Sequence, residues 1–321
     1  MKILILRFSS FGDIVQALDV PTALRERFPG TAIHWAVRSD FREVVALHPH
    51  VDRIWTLDRQ KGWRGLWKLA TELRKEGFTH LYDAHNNLRS WILRLLLMPP
   101  HLVRRSKNRW KRFLLFKFRK NLFPWPFIGR KSFLAPLSKW GVSEALFQSP
   151  FPQLALPFEA PQKYVVLIPA TAWAKKNWPR SHWVELIGLL QDQKLVVLGG
   201  PSDQFIDEIV TEAKHPSLLN LRGRLSLIES CAVVAGAKAV ISADTGLMHV
   251  ADQLGRPTLA LIGPSAFGYP GSKSSRTLEV QLDCKPCSKD GRGPCQNQTY
   301  QKCMIDIRPT DVARFLREMN P

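Results

Sequence analysis

The chain has 321 residues, enough for two domains that each bury a real core. Its composition, 45% hydrophobic and 23% charged, is that of a soluble globular protein. The formal net charge of +19 is unevenly spread: between Asp83 and Glu144 there is no acidic residue, and that stretch carries fourteen Lys and Arg. Such a balance points to polyanions or anionic surfaces as partners and says little about fold. No apolar run reaches the roughly eighteen residues of a membrane span, and Arg94 interrupts the longest, Trp91–Met98. Arg7 and Asp13 come too early for a signal peptide, so the chain reads as cytoplasmic, with any membrane contact peripheral.

Along the chain, Lys2–Phe8 reads as a buried strand and Ser9–Asp13 as a turn. Ile14–Phe28 has helical spacing with a kink expected at Pro21. Ala32–Val37 reads as a strand, Asp40–Leu47 as a helix, Arg53–Leu57 as a strand and Trp63–Glu76 as an amphipathic helix. His80–Asp83 is a short strand before the polar run His85, Asn86, Asn87. Prolines at 150, 152, 157 and 161 place an interdomain linker at Gln148–Pro161. A second alternating series follows, from a strand at Tyr164–Ile168 to a last helix at Thr310–Met319. Strand and helix alternate throughout, which predicts parallel α/β sheets covered on both faces. The expected domains are 1–150 and 160–321, two Rossmann-like halves facing across a cleft, with the final helix free to pack back on the first.

In such sheets ligands bind beyond the carboxyl ends of the strands, and three polar clusters fall there. Ser9-Ser10-Phe11-Gly12-Asp13 follows the first strand, so Asp13 is either a general base facing a cleft or simply an N-cap. Thr171, Lys175 and Lys176 lie in a strand-to-helix loop suited to a phosphate; the other reading is a solvated basic loop. Asp244-Thr245-Gly246, with His249 one turn on, opens a helix whose amides could grip an anion, or else caps that helix around a core histidine.

Taken in order, these clusters resemble glycosyltransferase family 9, the heptosyltransferases of lipopolysaccharide core assembly. Gly199-Gly200-Pro201-Ser202-Asp203 and Tyr82–Ser90 add to the likeness, which runs from Met1 to the final helix. The resemblance implies a GT-B fold and an inverting, metal-independent transfer from ADP-heptose to a lipid A-linked acceptor, the Kdo/heptose inner core. It implies Asp13 as base, with Lys176 assisting departure of the diphosphate. Donor contacts fall on Thr171, Lys176, Glu229, Asp244, Thr245, Gly246 and His249. The acceptor falls to Ser10, Gly12, Arg89, Arg104, Arg105, Arg109 and Arg112, whose charges meet acidic sugars and the anionic inner leaflet. It implies a peripheral enzyme at the inner face of the cytoplasmic membrane, with no nucleic-acid partner. Two rival readings are a family 9 transferase with another nucleotide-sugar or acceptor, and a non-catalytic basic module binding nucleic acid or membrane.

Cys284, Cys287, Cys295 and Cys303 remain. Four cysteines in a loop rich in Gly and Pro suggest a structural all-thiolate zinc site, against free thiols or reversible disulfides. Cys231 stands alone in an apolar helix and reads as core.

Overall fold

The structure is a computed structural model that describes residues 1–146, 155–156 and 163–319. Apart from residues 155–156, the expected linker at Gln148–Pro161 lies outside the described residues. The chain divides into two compact units, Met1–Arg109 with Gly129–Pro152, and Trp110–Ile128 with Gln153–Pro321.

The first unit runs β1 (Lys2–Leu6), α1 (Phe11–Gln16), α2 (Asp19–Arg27), β2 (Ala32–Arg38), α3 (Arg42–Ala46), β3 (Arg53–Leu57), α4 (Gly62–Arg74), β4 (His80–Asp83), α5 (Leu88–Leu97) and β5 (His101–Arg104). Its sheet is parallel, in the order β3-β2-β1-β4-β5. Ile3 to Leu6 are fully buried, as a central parallel strand covered on both faces requires. The expected single helix over Ile14–Phe28 is two. Pro21 has no N–H to donate and its ring crowds the carbonyl of residue i−4, Ala17, where the break falls. The next helix, α6 (Arg109–Phe118), groups almost wholly with the second unit, although residues 1–150 had been expected to form one domain. The chain rejoins the first unit at α7 (Gly129–Leu134), whose buried Arg130 grips Asp19 of α2 through two 2.7 Å bonds.

The second unit continues β6 (Tyr164–Ile168), α8 (Arg180–Leu189), β7 (Lys194–Val197), α9 (Phe205–Ala213), β8 (Leu218–Asn220), α10 (Leu227–Gly236), β9 (Ala239–Ala243), α11 (Gly246–Gln253), β10 (Thr258–Leu261), β11 (Ser275–Leu278), α12 (Lys302–Ile305) and α13 (Pro309–Met319). Its parallel sheet has the order β11-β10-β9-β6-β7-β8. The buried Trp178 and Trp183 meet edge to face at 5.0 Å, and the Trp178 indole N–H donates to the Ile307 carbonyl at 2.9 Å. The final helix packs on α8 and β10 of its own unit through Val312, Ala313 and Leu316. The two parallel sheets are those of the GT-B fold.

Each strand order reverses beside its first strand: between β1 and β4 in one unit, and between β6 and β9 in the other. At such a switch point neighbouring loops part and leave a crevice at the carboxyl edge. The four loops so placed are Ser9–Asp13 and Ala84–Asn87, then Pro169–Asn177 and Asp244–Thr245.

Candidate functional site

In the first unit the β1 and β4 loops meet around Asp13. Arg7, buried at the end of β1, sets one guanidinium nitrogen 2.6 Å from Asp13 Oδ2 and donates another to the Ala84 carbonyl at 2.9 Å. Ser10 donates its hydroxyl to the same Oδ2 at 2.7 Å, and its amide at 3.4 Å. Every hydrogen bond and ion pair found for this carboxylate among the described residues falls on Oδ2. The side chain is 37% exposed. Burial works to raise the Asp13 carboxyl; Arg7, Arg105 and the Ser10 hydrogen bonds outweigh it and bring it down to about 2. Asp13 is thus both a member of the helix's capping arrangement and an ionised carboxylate at the switch point.

Asp83, fully buried at the end of β4, shapes the facing loop. It accepts the amides of His85 (3.1 Å) and Asn86 (2.7 Å) and the Ser90 hydroxyl (2.9 Å), with Arg94 Nε 3.3 Å away. His85 is thereby set edge-on to Phe8, with Nδ1 buried and unpartnered. Burial, followed by Arg7 and Lys107, pushes its imidazole down to about 3, against the pull of Asp13. Sequence reasoning noted His85 only as part of a polar run. Its position after the strand next to β1 was the available signal, once the strand order was known.

The four acceptor arginines of the basic stretch do not form one group. Arg104 and Arg109 are exposed. Arg105 lies over the Phe133 ring at 3.9 Å and bonds Ser132 through Nε (3.2 Å) and Nη2 (2.7 Å). Arg112 belongs to the second unit, where it lies 4.6 Å over Phe267. There Leu115 and Phe123 are buried against Ala266, with Phe116, Phe127 and Phe267 around them. Part of the basic, aromatic stretch is therefore a core of the second unit, while Trp110, Phe113, Phe118, Leu122 and Trp125 stay exposed. Arg89 is exposed near the start of α5.

In the second unit the loops after β6 and β9 meet through one lysine. Lys176 Nζ donates to the Asp244 carbonyl at 2.6 Å and lies 3.2 Å from its Oδ2, both residues nearly buried. Asp244 also accepts the Ser265 hydroxyl at 2.8 Å and has His249 Nε2 3.6 Å from Oδ1. Burial works to raise this carboxyl too; Lys176, His249 and Ser265 outweigh it and hold it well below the usual range. A Cβ at Gly268 would stand 2.2 Å from the carboxylate carbon, so only glycine permits the approach. Thr245 caps α11, accepting from the Met248 amide at 3.2 Å, and the helix opens at Gly246. The Thr171 hydroxyl lies 2.7 Å from Asn177 Oδ1 and 2.8 Å from the Trp173 carbonyl, closing the loop on itself. Glu229 caps α10, accepting the Ser226 amide at 2.6 Å, so part of its carboxylate is already engaged. His249 is buried, and its Nδ1 has no partner.

The neighbouring Lys175 faces the other way. Its ammonium is buried among the carbonyls of Arg292 (3.0 Å), Gly293 (3.1 Å) and Pro294 (3.1 Å). Gln301 Nε2 donates to the carbonyls of Ala174 and Asn177 at 2.8 and 3.2 Å. Gly291, at φ +96°, lies against the Lys176 stem so closely that a Cβ would meet it at 2.8 Å. The cysteine-bearing tail is thus a clamp on the lysine loop.

The expected zinc site is not borne out. Among the described residues no group of three or more His, Cys, Asp or Glu side chains is arranged to hold a metal ion. The four thiols of Cys284, Cys287, Cys295 and Cys303 are free, though near enough for their charges to act on one another. Asn297 Nδ2 lies 3.7 Å from Cys284 Sγ, the Gln301 amide donates to Cys295 Sγ at 3.4 Å, and Cys303 is buried beside Met304. Burial pushes the Cys303 thiol up to about 11 and raises that of Cys287. Cys231 is fully buried, as its place in an apolar helix predicted.

Residues 66–301 match the family model of glycosyltransferase family 9 (heptosyltransferase). The lipopolysaccharide heptosyltransferase 1 of Pseudomonas aeruginosa is 25% identical over 98% of this chain and 92% of its own. That of Escherichia coli K12 is 27% identical over 84% of this chain and 90% of its own. The solved structure of an E. coli heptosyltransferase with ADP superposes with a TM-score of 0.74 at 23% identity, covering 99% of this chain and 100% of that one.

Proposed function

The chain belongs to glycosyltransferase family 9 and is a glycosyltransferase; from that membership we propose an inverting transfer of heptose from ADP-heptose to the Kdo/heptose inner core of lipopolysaccharide, at the inner face of the cytoplasmic membrane. The relatives named above are called lipopolysaccharide heptosyltransferases, and the observation that supports a nucleotide-sugar donor here is the Lys176–Asp244 pair at the opening of α11. An ammonium has three N–H donors. Asp244 occupies two of those of Lys176, which leaves one, held in place, for a diphosphate oxygen. The first amides of α11 add partial positive charge at the same spot.

Asp13 Oδ1 takes the proton of an acceptor hydroxyl as that oxygen bonds to the anomeric carbon. The bond from that carbon to the diphosphate breaks, and its electron pair leaves with ADP. Lys176 and the α11 amides stabilise the charge that develops there. A carboxyl near 2 is a weak base toward a neutral alcohol, so the proton moves late, once the hydroxyl has been acidified by bonding. Thr171, Thr245 and Gly246 belong to the donor loops, His249 lies beside Asp244, and Glu229 is a further donor contact. Arg89, Arg104, Arg105 and Arg109 meet the acidic groups of the acceptor.

Titration calorimetry tests the donor half. ADP should bind more tightly than UDP or GDP, and single-stranded DNA should not compete. Tighter binding of UDP or GDP would move the chain to another donor. Displacement of ADP by DNA would favour the basic binding module.

A further inference from the structure

Helices α4 and α5 lie side by side on one face of the first sheet. Leu66, Leu69, Ala70 and Leu73 of α4 and Leu93 of α5 are buried in a common core with β1 and β3. Beside that core both helices carry exposed apolar residues, set on α4 next to the exposed Arg64, Lys68 and Thr71. Trp63 and Trp67, one turn apart on α4, are 52% and 55% exposed. On α5, Leu88, Trp91 and Leu95 recur at helical spacing, Trp91 being 48% exposed, and Met98 continues the line. Single exposed apolar residues need no explanation, but three exposed tryptophans on two helices packed against each other do.

The charge around this set is one-sided. Arg59, Lys61, Arg64, Lys68 and Arg89 are exposed there, against the acids Asp58 and Glu72, which sit 3.6 Å from Lys61 and 3.9 Å from Lys68. Tryptophan beside Lys and Arg is the pairing that suits the boundary between headgroups and acyl chains. The face also has a definite place. α4 follows the carboxyl end of β3 and α5 that of β4, so Trp63, Trp67, Leu88 and Trp91 start from the edge that carries Asp13. No helix among the described residues is long and apolar enough to cross a membrane, so an attachment through this face would be peripheral.

We propose that the outer face of α4 and α5 is a membrane-docking surface, which inserts Trp63, Trp67 and Trp91 into an anionic leaflet and brings the Asp13 edge down to a lipid-linked acceptor. This shifts the membrane contact from the arginines between Arg89 and Arg112 to residues 59–98, and it rests on the reading that the acceptor is lipid-linked.

Flotation with vesicles of phosphatidylethanolamine and phosphatidylglycerol, compared with phosphatidylcholine alone, tests it. The parent should prefer the anionic vesicles. W63S/W67S/W91S should bind them roughly tenfold more weakly or worse, with ADP affinity and transfer to a water-soluble core fragment unchanged. R64Q/K68Q, a second test should the triple variant misfold, should lose about fivefold per charge, and the loss should shrink in high salt. Equal flotation of parent and both variants overturns the proposal. So does a loss confined to variants of Trp110 and Phe113, or a parent that shows no preference for anionic lipid. A dimer in light scattering that the triple variant abolishes, with vesicle binding intact, would assign the face to a second copy of the chain. Absence of transfer to the soluble fragment by the parent would count against the enzymatic reading rather than against the docking face.

Discussion

Asp13 and Lys176 differ in how far their charges are committed to the protein itself. Asp13 keeps one oxygen clear, so Asp13→Asn should leave the fold and ADP affinity unchanged while transfer falls roughly 10²-fold or more; turnover near that of the parent would remove Asp13 from the base role. Lys176 also supports buried Asp244. Lys176→Met should therefore weaken ADP in calorimetry and also lower the melting temperature, because breaking a buried pair costs about 3–5 kcal/mol. Proton linkage separates these carboxylates from the histidines. The folded Asp13 carboxyl is depressed, so its contribution to stability is present above the unfolded value of 3.8 and is lost only as pH falls through about 2. Buried His48 and half-buried His85 are likewise depressed, to about 3. Below about 6.5 the unfolded chain takes up protons that the folded chain refuses, so stability should decline from there downward. His48→Gln should flatten that decline by about one proton, ~1.4 kcal/mol per pH unit. Urea melts between pH 6.5 and 4 would check it, and an unchanged slope would mean that His48 is protonated in the fold.

At the scale of elements, two structural ion sites hold the elements beside the switch-point loops. Arg130 and Asp19 tie α7 to α2, directly after α1, which carries Asp13. Arg130→Met should destabilise by about 3–5 kcal/mol, since it leaves Asp19 charged and buried; a melting temperature within error of the parent would contradict this. Lys175 with the 291–301 tail does the same for the Lys176 loop. Much of this was legible in the sequence. The alternation of apolar runs and helical spacing gave the parallel α/β class, and Ser9–Asp13, Thr171–Lys176 and Asp244–Gly246 do fall at carboxyl edges beside the switch points. Other features were not. Lys175 and Lys176 are adjacent and chemically identical, and only the fold of the tail turns one inward to carbonyls and the other toward Asp244. The cysteine spacing suggested a metal, but spacing does not fix where thiols point. β5, β8 and β11 are short edge strands whose residues are mostly exposed or half-buried, so no buried apolar run marks them.

At the scale of the molecule, the charge surplus has two different uses, which composition could not separate. Arg112 and Arg119 are fasteners within the second unit: one lies on Phe267, and the other bonds the Cys284 and Pro286 carbonyls at 3.0 and 2.6 Å. The exposed bases of α4 and of the stretch from Arg89 to Arg109 are not used in this way, and it is these that we propose meet an acidic acceptor and the surface that carries it. The central claim is that Asp13 and Lys176 serve one reaction. Its most direct measurement is the mass spectrum of a Kdo-bearing lipid A fragment incubated with ADP-heptose and the parent, Asp13→Asn or Lys176→Met protein. The account predicts that the parent adds one heptosyl unit and releases one ADP per product, and that both variants fail at equal protein concentration. Unmodified acceptor with the parent, or full conversion by Asp13→Asn, would contradict it.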